Sequence, residues 1–368
     1  MNLDATNFCI VPFTHYTLSS STLSTCCWSS KFCHLYFGHW LGPWQGKLEE
    51  NAEFLKIARE QMYRLGAKKA CEKANTCPQL KDLPSIREQF KRFQRDERSF
   101  CISSKVANDI IHNRAAISCG PIVLGISPSN RCNYDCKYCC VPREDLVEKT
   151  DPTDEEIDNL YPLYRDCVDF RTCGGDTFGL SDDRIEKFYG SMRGKKSTIS
   201  VLTNGHGLTL RRYERFCANG PINHVMISLN GFDPDIYFDM HRRKIDQVIN
   251  NIRQISSTYE KHCIGSLSYV ITATNIDDGV NVIRFAEENR IPAVITRLVL
   301  PTYFARRGVE YLDPLGEGWS EEFYQSYLRL KEEVDVRKSS GPVQIRYFHL
   351  VERDVERERE RRLNLSQS

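Results

Sequence analysis

Residues 121–300 alternate short apolar runs with amphipathic segments, and this alternation is the main structural signal of the chain. The apolar runs are nearly continuous, as expected of parallel strands that are covered on both faces. Strands are predicted at Ile122–Ser127, Val168–Thr172, Thr198–Thr203, His224–Leu229, Leu267–Thr272 and Ala293–Leu300. Helices are predicted at Asp154–Cys167, Asp182–Met192, Leu210–Ala218, Lys244–Tyr259 and Asp278–Asn289. The pattern predicts an α/β fold whose parallel sheet is either open or curled into a partial barrel.

The first 120 residues have a different pattern. Phe8–Thr25 is rich in Thr, Ser and aromatic residues, which predicts a hairpin rather than a βαβ unit. Leu48–Leu65 has the apolar spacing of an amphipathic helix, and Gly66 follows it as a stop signal. Pro84–Asn113 is a further helical region.

The end of the chain is strongly charged. Glu352–Arg362 alternates acidic and basic residues, and Glu358 and Arg362 can pair at i,i+4 spacing. This pattern predicts a solvated helix.

Composition narrows the classes of protein that the chain can represent. Its 368 residues suit a main domain with an accessory domain, and 40% apolar and 11% aromatic residues allow a sizeable core. Lysine and arginine total 50 against 49 aspartates and glutamates, so no general attraction to nucleic acid or anionic membrane is expected. The sequence contains no apolar run of about 18 residues, so no membrane-spanning helix is predicted. Asp4 and interrupting Thr and Ser residues argue against a signal peptide.

Cysteine content is the unusual feature of the composition. Of 16 cysteines, eight precede residue 120, eight lie between residues 132 and 263, and none follows. Disulfide frameworks belong mostly to small secreted domains with little core. Clustered thiols in a chain without a recognisable signal predict metal binding in a reducing cytoplasm.

The strongest chemical signal is the segment Cys132-Asn-Tyr-Asp-Cys136-Lys-Tyr-Cys139, directly after the first strand of the alternating region. Three thiolates on one short loop can bind three irons of a 4Fe–4S cluster and leave the fourth iron for a small molecule. The position fits, because ligand sites in parallel α/β folds lie at the carboxyl ends of strands. The alternative is a zinc knuckle, for which Cys140 is poorly placed as a fourth ligand.

This sequence resembles the radical S-adenosylmethionine (radical SAM) superfamily, whose signature is the spacing of Cys132, Cys136 and Cys139. The resemblance covers about residues 121–300 and implies a partial (β/α)6 TIM-like barrel. It implies a 4Fe–4S cluster whose unique iron chelates the amino and carboxylate groups of S-adenosylmethionine (SAM). It also implies reductive cleavage of SAM to methionine and a 5′-deoxyadenosyl radical, which abstracts hydrogen from the substrate.

The same resemblance assigns cofactor-binding residues to the ends of the strands. Gly174-Gly175-Asp176 matches the family's Gly-Gly-Glu-type motif, with Asp176 in place of the common Glu. Arg242 stands where many relatives have an arginine that pairs with the SAM carboxylate, a task that suits a guanidinium fork. The other implied cofactor contacts are Asn204 after the third strand, Ser228 and Asn230 after the fourth, and Asn275 after the fifth.

A second group of cysteines lies near the N-terminus. Cys9, Cys26 with Cys27 beside it, Cys71 and Cys77 resemble the SPASM or twitch segments of radical SAM enzymes. In those segments a hairpin and a short helix deliver cysteines to an auxiliary 4Fe–4S cluster, but the segment usually follows the barrel, whereas here it precedes it. A structural zinc site and buried free cysteines remain the alternatives, since cysteine is among the most buried residue types.

These expectations define a reaction class and leave the substrate open. The first hypothesis is a radical SAM oxidoreductase or epimerase acting on a small specialised metabolite such as a sugar. Epimerisation needs a hydrogen donor, and Cys173, directly before Gly174, is the best-placed candidate. The alternative is a radical SAM enzyme that crosslinks or epimerises a ribosomal peptide, although residues 301–368 lack the pattern of a peptide-recognition module. A non-catalytic Fe–S electron carrier is a remote alternative.

The predicted organisation has four parts: a cysteine-rich accessory domain at 1–83, a helical linker at 84–120, the radical SAM partial barrel at 121–300 and a helical C-terminal extension at 301–368. The expected partners are a small-molecule or peptide substrate and a flavodoxin- or ferredoxin-type electron donor. No nucleic acid or membrane partner is expected.

Overall fold

The structure, a computed structural model, consists of two compact units. The first unit contains Met1–Arg131 and Arg143–Ser200, and the second contains Cys132–Pro142 and Val201–Ser368. The residues described are 2–6, 8–19, 22–24, 41–43, 52–70, 83–127, 129, 132–139, 153–172, 175–298 and 308–366.

The sheet of the first unit combines parallel and antiparallel pairs. Its strands are β1 (His15–Ser19), β2 (Thr22–Ser24), β3 (Leu41–Pro43), β4 (Val123–Ile126) and β5 (Asp169–Thr172). It also includes the first three residues of β6 (Thr198–Thr203). β1 and β2 pair antiparallel, as do β2 and β3, whereas β1 pairs parallel with β4, β4 with β5, and β5 with β6. The predicted hairpin is therefore confirmed for His15–Ser24, whereas Val11–Thr14 forms a short helix instead. The first strand of the hairpin also extends the parallel sheet.

The helices of the first unit surround a core that includes its N-terminal residues. They are α1 (Val11–Thr14), α2 (Ala52–Ala70), α3 (Ile86–Lys91), α4 (Glu97–Ile111), α5 (Asp154–Asp158), α6 (Tyr161–Tyr164) and α7 (Asp182–Tyr189). The predicted stop at Gly66 appears as a break inside α2, with φ 67° and ψ 169°. Glycine adopts this left-handed conformation without the steric cost that other residues meet.

A buried arginine joins three parts of this core. Arg59 of α2 donates from Nε to the Pro12 carbonyl at 3.2 Å and from Nη1 to the Ala115 carbonyl at 2.8 Å. Its Nη2 donates to the Tyr16 hydroxyl. A buried charge is tolerated only when it is hydrogen-bonded, and these acceptors lie on α1, on β1 and on the segment before β4.

Gln89 of α3 fixes the segment around Cys9. Its amide donates to the carbonyls of Phe8 and Pro84 at 2.7 and 2.8 Å, and its oxygen accepts the Ile10 N–H at 3.1 Å. Cys9 is half-buried and packs against the hydrophobic cluster that Phe8 and Ile10 form with residues of α3 and α4. The segment predicted as a helical linker thus contributes to the same core as the N-terminus.

The second unit has a wholly parallel arrangement of strands. β7 (His224–Ser228), β8 (Ile264–Ile271), β9 (Ala293–Leu298) and β10 (Gln344–Arg346) lie in that order, each parallel to the next. The helices are α8 (Leu210–Tyr213), α9 (Pro234–His241), α10 (Asp246–Thr258), α11 (Gly279–Glu288), α12 (Glu321–Ser340) and α13 (Phe348–Ser366). A π-helical turn, Glu214–Ala218, continues α8.

The predicted fold class is confirmed. Among the described residues, eight strands take part in parallel pairs, namely β1 and β4 to β10, and helices alternate with them as in a partial TIM-like barrel. In the part of the chain that the structure describes, no helix is long and apolar enough to cross a membrane.

The C-terminal segment differs from the solvated helix that its charge pattern predicts. α13 does contain the predicted ion pair, with Arg362 Nε 2.7 Å from Glu358 Oε1. However, Val351 and Val355 are fully buried, and the Tyr327 hydroxyl donates to Glu356 Oε1 at 3.1 Å. Charged residues dominate the composition of α13, so its narrow apolar stripe is easily overlooked.

Val355→Ala tests whether α13 is part of the folded core. Val355 is 0% exposed, so truncation leaves a cavity and should lower the free energy of unfolding by about 2 kcal/mol. Arg353→Ala on the exposed face of the same helix should change it by less than about 0.5 kcal/mol. Chemical denaturation of both variants measures the difference, and equal stabilities would mean that α13 is only a solvated appendage.

Candidate active site

The loop Cys132–Cys139 is attached through its backbone to the C-terminal end of α9. The Lys137 N–H donates to the Met240 carbonyl at 2.9 Å, and the Asp135 N–H donates to the His241 carbonyl at 3.4 Å. The last carbonyls of a helix find no N–H donor within the helix, so they need donors from elsewhere. The loop supplies these donors, so the end of the helix and the path of the loop determine each other.

Side chains reinforce this attachment. Lys137 Nζ donates to both carboxylate oxygens of Asp239, at 2.6 and 2.7 Å, and to the Tyr311 hydroxyl at 2.7 Å. Burial lowers the pKa of Lys137, but the hydrogen bonds to Asp239 and Tyr311 outweigh it, so the pKa is raised overall. Arg243 Nε donates to the Asn133 carbonyl at 2.8 Å.

Polar groups face two of the three sulfur atoms of this loop, those of Cys132 and Cys136. Cys132 Sγ accepts from the Tyr134 N–H at 3.4 Å and from Asn204 Nδ2 at 3.7 Å. Cys136 Sγ lies 3.1 Å from His241 Nδ1. Cys139 closes a turn by donating its N–H to the Cys136 carbonyl at 3.1 Å.

These three cysteines have the chemistry that a 4Fe–4S cluster requires. All three are half-buried and none is in a disulfide. Donors at cluster sulfurs are among the protein's means of tuning such a site. Each thiolate of a cubane binds its own iron, so the sulfurs need not converge on one point. Within the described ranges, no three His, Cys, Asp or Glu side chains are grouped closely enough to hold a single metal ion.

Asn204, predicted as a cofactor contact, is placed beside the cysteine loop. Its Nδ2 donates to Asn133 Oδ1 at 2.7 Å and also faces Cys132 Sγ. The following Gly205 has φ 82°, and a Cβ there would lie 2.9 Å from Ile227 and from Val248. Only glycine fits this turn after β6, and the turn holds Asn204 in place.

Asn230 and Asn275 form a buried clamp between the ends of β7 and β8. Asn275 is 1% exposed, and its Nδ2 donates to the carbonyls of Asn230 and Val270 at 3.0 and 2.8 Å. Its Oδ1 accepts the Thr272 N–H at 2.7 Å. Asn230 Oδ1 accepts the Val270 N–H at 2.7 Å, and its Nδ2 donates to the Tyr138 hydroxyl.

Ser228 and Arg242 keep more solvent access. Ser228 is the last residue of β7 and is half-buried. Arg242 follows α9 with a left-handed φ of 57°, which is unusual for a residue with a Cβ. Its guanidinium is half-exposed and lies 3.4 Å from Asp239 Oδ1.

Gly175 and Asp176 belong to the first unit and follow β5. Gly175 has φ 56°, a conformation that favours glycine. Asp176 is buried at the start of a 3₁₀ turn, Thr177–Gly179. The remaining predicted site residues lie outside the described residues: Cys26, Cys71, Cys77, Cys173 and Gly174.

Sequence reasoning missed two residues that contact the others. His241 lies between Cys136 and Tyr138, whose hydroxyl is 3.2 Å from His241 Nε2. Tyr138 sits inside the cysteine motif and His241 precedes Arg242, so each was adjacent to a predicted site residue. A tyrosine or a histidine at these positions does not by itself predict a contact between residues more than 100 positions apart in sequence.

A family model agrees with this site. Residues 126–286 match the Radical SAM superfamily. The matched segment is less than half of the chain, and it includes the cysteine loop. No curated protein matches the sequence.

Several solved structures have a similar but distant fold. Streptococcus suis SuiB bound to the precursor peptide SuiA is 16% identical, with a TM-score of 0.48, and the match covers 80% of this chain and 61% of SuiB. Native anSMEcpe with bound AdoMet is 19% identical, with a TM-score of 0.48 and coverage of 62% and 65%. Escherichia coli coproporphyrinogen III oxidase, HemN, is 13% identical, with a TM-score of 0.42 and coverage of 60% and 52%. Likenesses this distant carry no argument about activity.

Asn275→Ala should show that this amide is a structural clamp. The substitution removes three hydrogen bonds to backbone groups at the buried strand ends and should lower the free energy of unfolding by about 3 kcal/mol. Asn281→Ala is the matched control, because Asn281 is exposed and has one long bond of 3.4 Å to Asp278. Denaturation curves compare the two, and a similarly small effect in both would contradict the clamp.

Proposed function

We propose that this chain is a radical SAM enzyme whose Cys132, Cys136 and Cys139 hold the catalytic 4Fe–4S cluster. The observation that carries the proposal is the cysteine loop, attached to the end of α9 and supplied with hydrogen-bond donors at two of its three sulfurs. When bound and reduced, such a cluster supplies the electron that cleaves SAM to methionine and a 5′-deoxyadenosyl radical.

SAM binding is assigned to the residues at the strand ends. Gly174 and Gly175 present backbone groups to the cofactor, and the left-handed Gly175 leaves no Cβ in the way. Arg242 has the exposure needed to meet a carboxylate. The amides of Asn230 and Asn275 are engaged within the protein, so these two act by holding the strand ends in position.

Asp176, Asn204 and Ser228 complete the proposed cofactor site. Asn204 combines this role with its contact to Cys132, which would keep the cofactor and the cluster in register. Ser228 presents a hydroxyl at the end of β7 and suits a sugar hydroxyl of the cofactor.

A small molecule, such as a sugar, is the proposed substrate. Residues 308–366 supply α12, β10 and α13, and β10 pairs parallel with β9. This segment thus extends the strand–helix alternation, which favours a small-molecule substrate over a peptide. The alternative is a ribosomal peptide, and among the similar structures SuiB is bound to a precursor peptide.

Oxidation and epimerisation are the two proposed outcomes of hydrogen abstraction. Epimerisation would use Cys173 as the hydrogen donor. Product analysis in deuterated water with candidate substrates separates them. Deuterium gained at one carbon identifies epimerisation, whereas the loss of two hydrogens identifies oxidation.

An auxiliary 4Fe–4S cluster at the N-terminal cysteines is a further part of the proposal. Cys9 is held against the core of the first unit, so it has a fixed position from which to act as one ligand, with Cys26, Cys71 and Cys77 as the others. A flavodoxin- or ferredoxin-type donor in a reducing cytoplasm would supply electrons.

Replacing Cys132, Cys136 or Cys139 singly by alanine should abolish the formation of 5′-deoxyadenosine. Each variant removes one of three thiolates that share the cluster. The assay is anaerobic incubation of reconstituted protein with SAM and dithionite, followed by chromatography. Cys101→Ala is the control, because Cys101 is exposed on α4 and outside the loop. Substantial cleavage by all three loop variants would overturn the proposal, and so would its complete absence from the wild type.

Iron content tests the auxiliary cluster separately. Wild-type protein reconstituted under anaerobic conditions should hold about eight irons, from two clusters each bound by thiolates. A variant with Cys71→Ala and Cys77→Ala should fall to about four and still cleave SAM. Elemental analysis that finds zinc instead would make the segment a structural site. About four irons and no zinc in the wild type would mean that the N-terminal cysteines bind no cluster and are only buried side chains.

A further inference from the structure

A continuous path of hydrogen bonds leads from the Cys136 sulfur into the interior of the second unit. Cys136 Sγ is 3.1 Å from His241 Nδ1, and His241 Nε2 is 3.2 Å from the Tyr138 hydroxyl. That hydroxyl accepts a hydrogen bond from Asn230 Nδ2. Asn230 is in turn fixed by the clamp at the ends of β7 and β8.

The donors available fix the direction of the bonds at Asn230 and favour one direction for the rest of the path. The Val270 N–H can only donate, so the atom of Asn230 that faces it must be the oxygen, and the amide NH₂ must face Tyr138. The Tyr138 hydroxyl accepts that bond and has one proton left, which it donates to His241 Nε2. A neutral imidazole with an accepting Nε2 carries its proton on Nδ1.

The surroundings favour the neutral imidazole. His241 is 2% exposed, and aromatic rings enclose it, with the Tyr237 ring centroid 4.2 Å and the Tyr134 centroid 5.6 Å from its own. Moving an imidazolium from water into such an enclosed position is costly, so the neutral form is favoured.

We infer that His241 is a positioning residue that donates its Nδ1–H to the Cys136 sulfur and thereby raises the reduction potential of the cluster. The inference rests on the proposed cluster at Cys132, Cys136 and Cys139. A reduced cluster carries more negative charge on its sulfurs, so a donor stabilises it more than the oxidised form. Tyr138 and Asn230 contribute indirectly, because they select the tautomer that has a proton on Nδ1.

His241→Leu removes the donor and keeps a buried apolar side chain. We expect the cluster to become about tenfold harder to reduce at a given ambient potential, a downward shift of about 59 mV for one electron. The measurement is an anaerobic redox titration of the reconstituted protein, followed by electron paramagnetic resonance, with iron and sulfide determined for each sample.

Two further variants separate hydrogen bonding from packing. His241→Asn places an amide N–H near the position of Nδ1 and should restore most of the potential. Tyr237→Phe is the matched control, because it alters the ring stacked on His241 and removes a hydroxyl outside the path, whose one bond to Tyr134 is 3.5 Å long. It should leave the potential unchanged.

Tyr138→Phe keeps every cluster ligand, so it tests the inference even if His241→Leu fails to hold iron. Without the hydroxyl, no proton donor selects the Nδ1–H tautomer, so the potential should fall by less than in His241→Leu. An unchanged potential in either variant with intact iron would overturn the inference, while the proposed function would stand. A wild-type protein without a 4Fe–4S signal would instead overturn the proposed function.

Discussion

The need of a helix end for hydrogen-bond donors organises the proposed active site. α9 ends at His241, and its last carbonyls accept N–H groups from Asp135 and Lys137 of the cysteine loop. A loop that was free of the helix would have to order three cysteines at the full cost in conformational entropy. Here the backbone bonds, together with the pairing of Lys137 with Asp239, fix the path of the loop.

The same attachment explains why one helix serves several roles. Because the loop meets the last turn of α9, His241 lies next to the Cys136 sulfur and Arg242 emerges toward solvent directly afterwards. Neighbouring residues in sequence therefore face different parts of the site. The left-handed backbone at Arg242 is the point where this change of direction occurs.

The sequence predicted the strands well where apolar runs were continuous, and less well where structure depends on distant contacts. β6 has the predicted bounds, and β4, β5 and β7 begin or end within one residue of them. β10 was missed, because Gln344 and Arg346 are exposed and a three-residue edge strand has no apolar run. The parallel pairing of β1 with β4 could not be read from a hairpin pattern, since pairing across more than 100 residues has no local signal.

The candidate site shows the same difference between local patterns, which the sequence reveals, and contacts between distant residues, which it does not. The spacing of Cys132, Cys136 and Cys139 is local, and it was sufficient to predict the family that residues 126–286 match. The clamp formed by Asn230 and Asn275 also uses residues that sequence reasoning selected. Their amides bond to the backbone and, for Asn230, also to the Tyr138 hydroxyl. His241 could not be predicted, because its role depends on the folded position of a helix end.

Two short edge strands, β3 and β10, bear on the behaviour of the chain during synthesis and storage. In the described part of the chain, β3 is one edge strand and β10 is the other. Each has three residues, and they include Pro43 and Arg346, respectively. A long, apolar edge strand can pair with strands of other molecules. A short edge strand that contains proline or a charged residue pairs in this way less readily. A protein with sixteen thiols gains from such protection, because molecules that do not stack strand to strand are kept apart and their cysteines have fewer chances to crosslink.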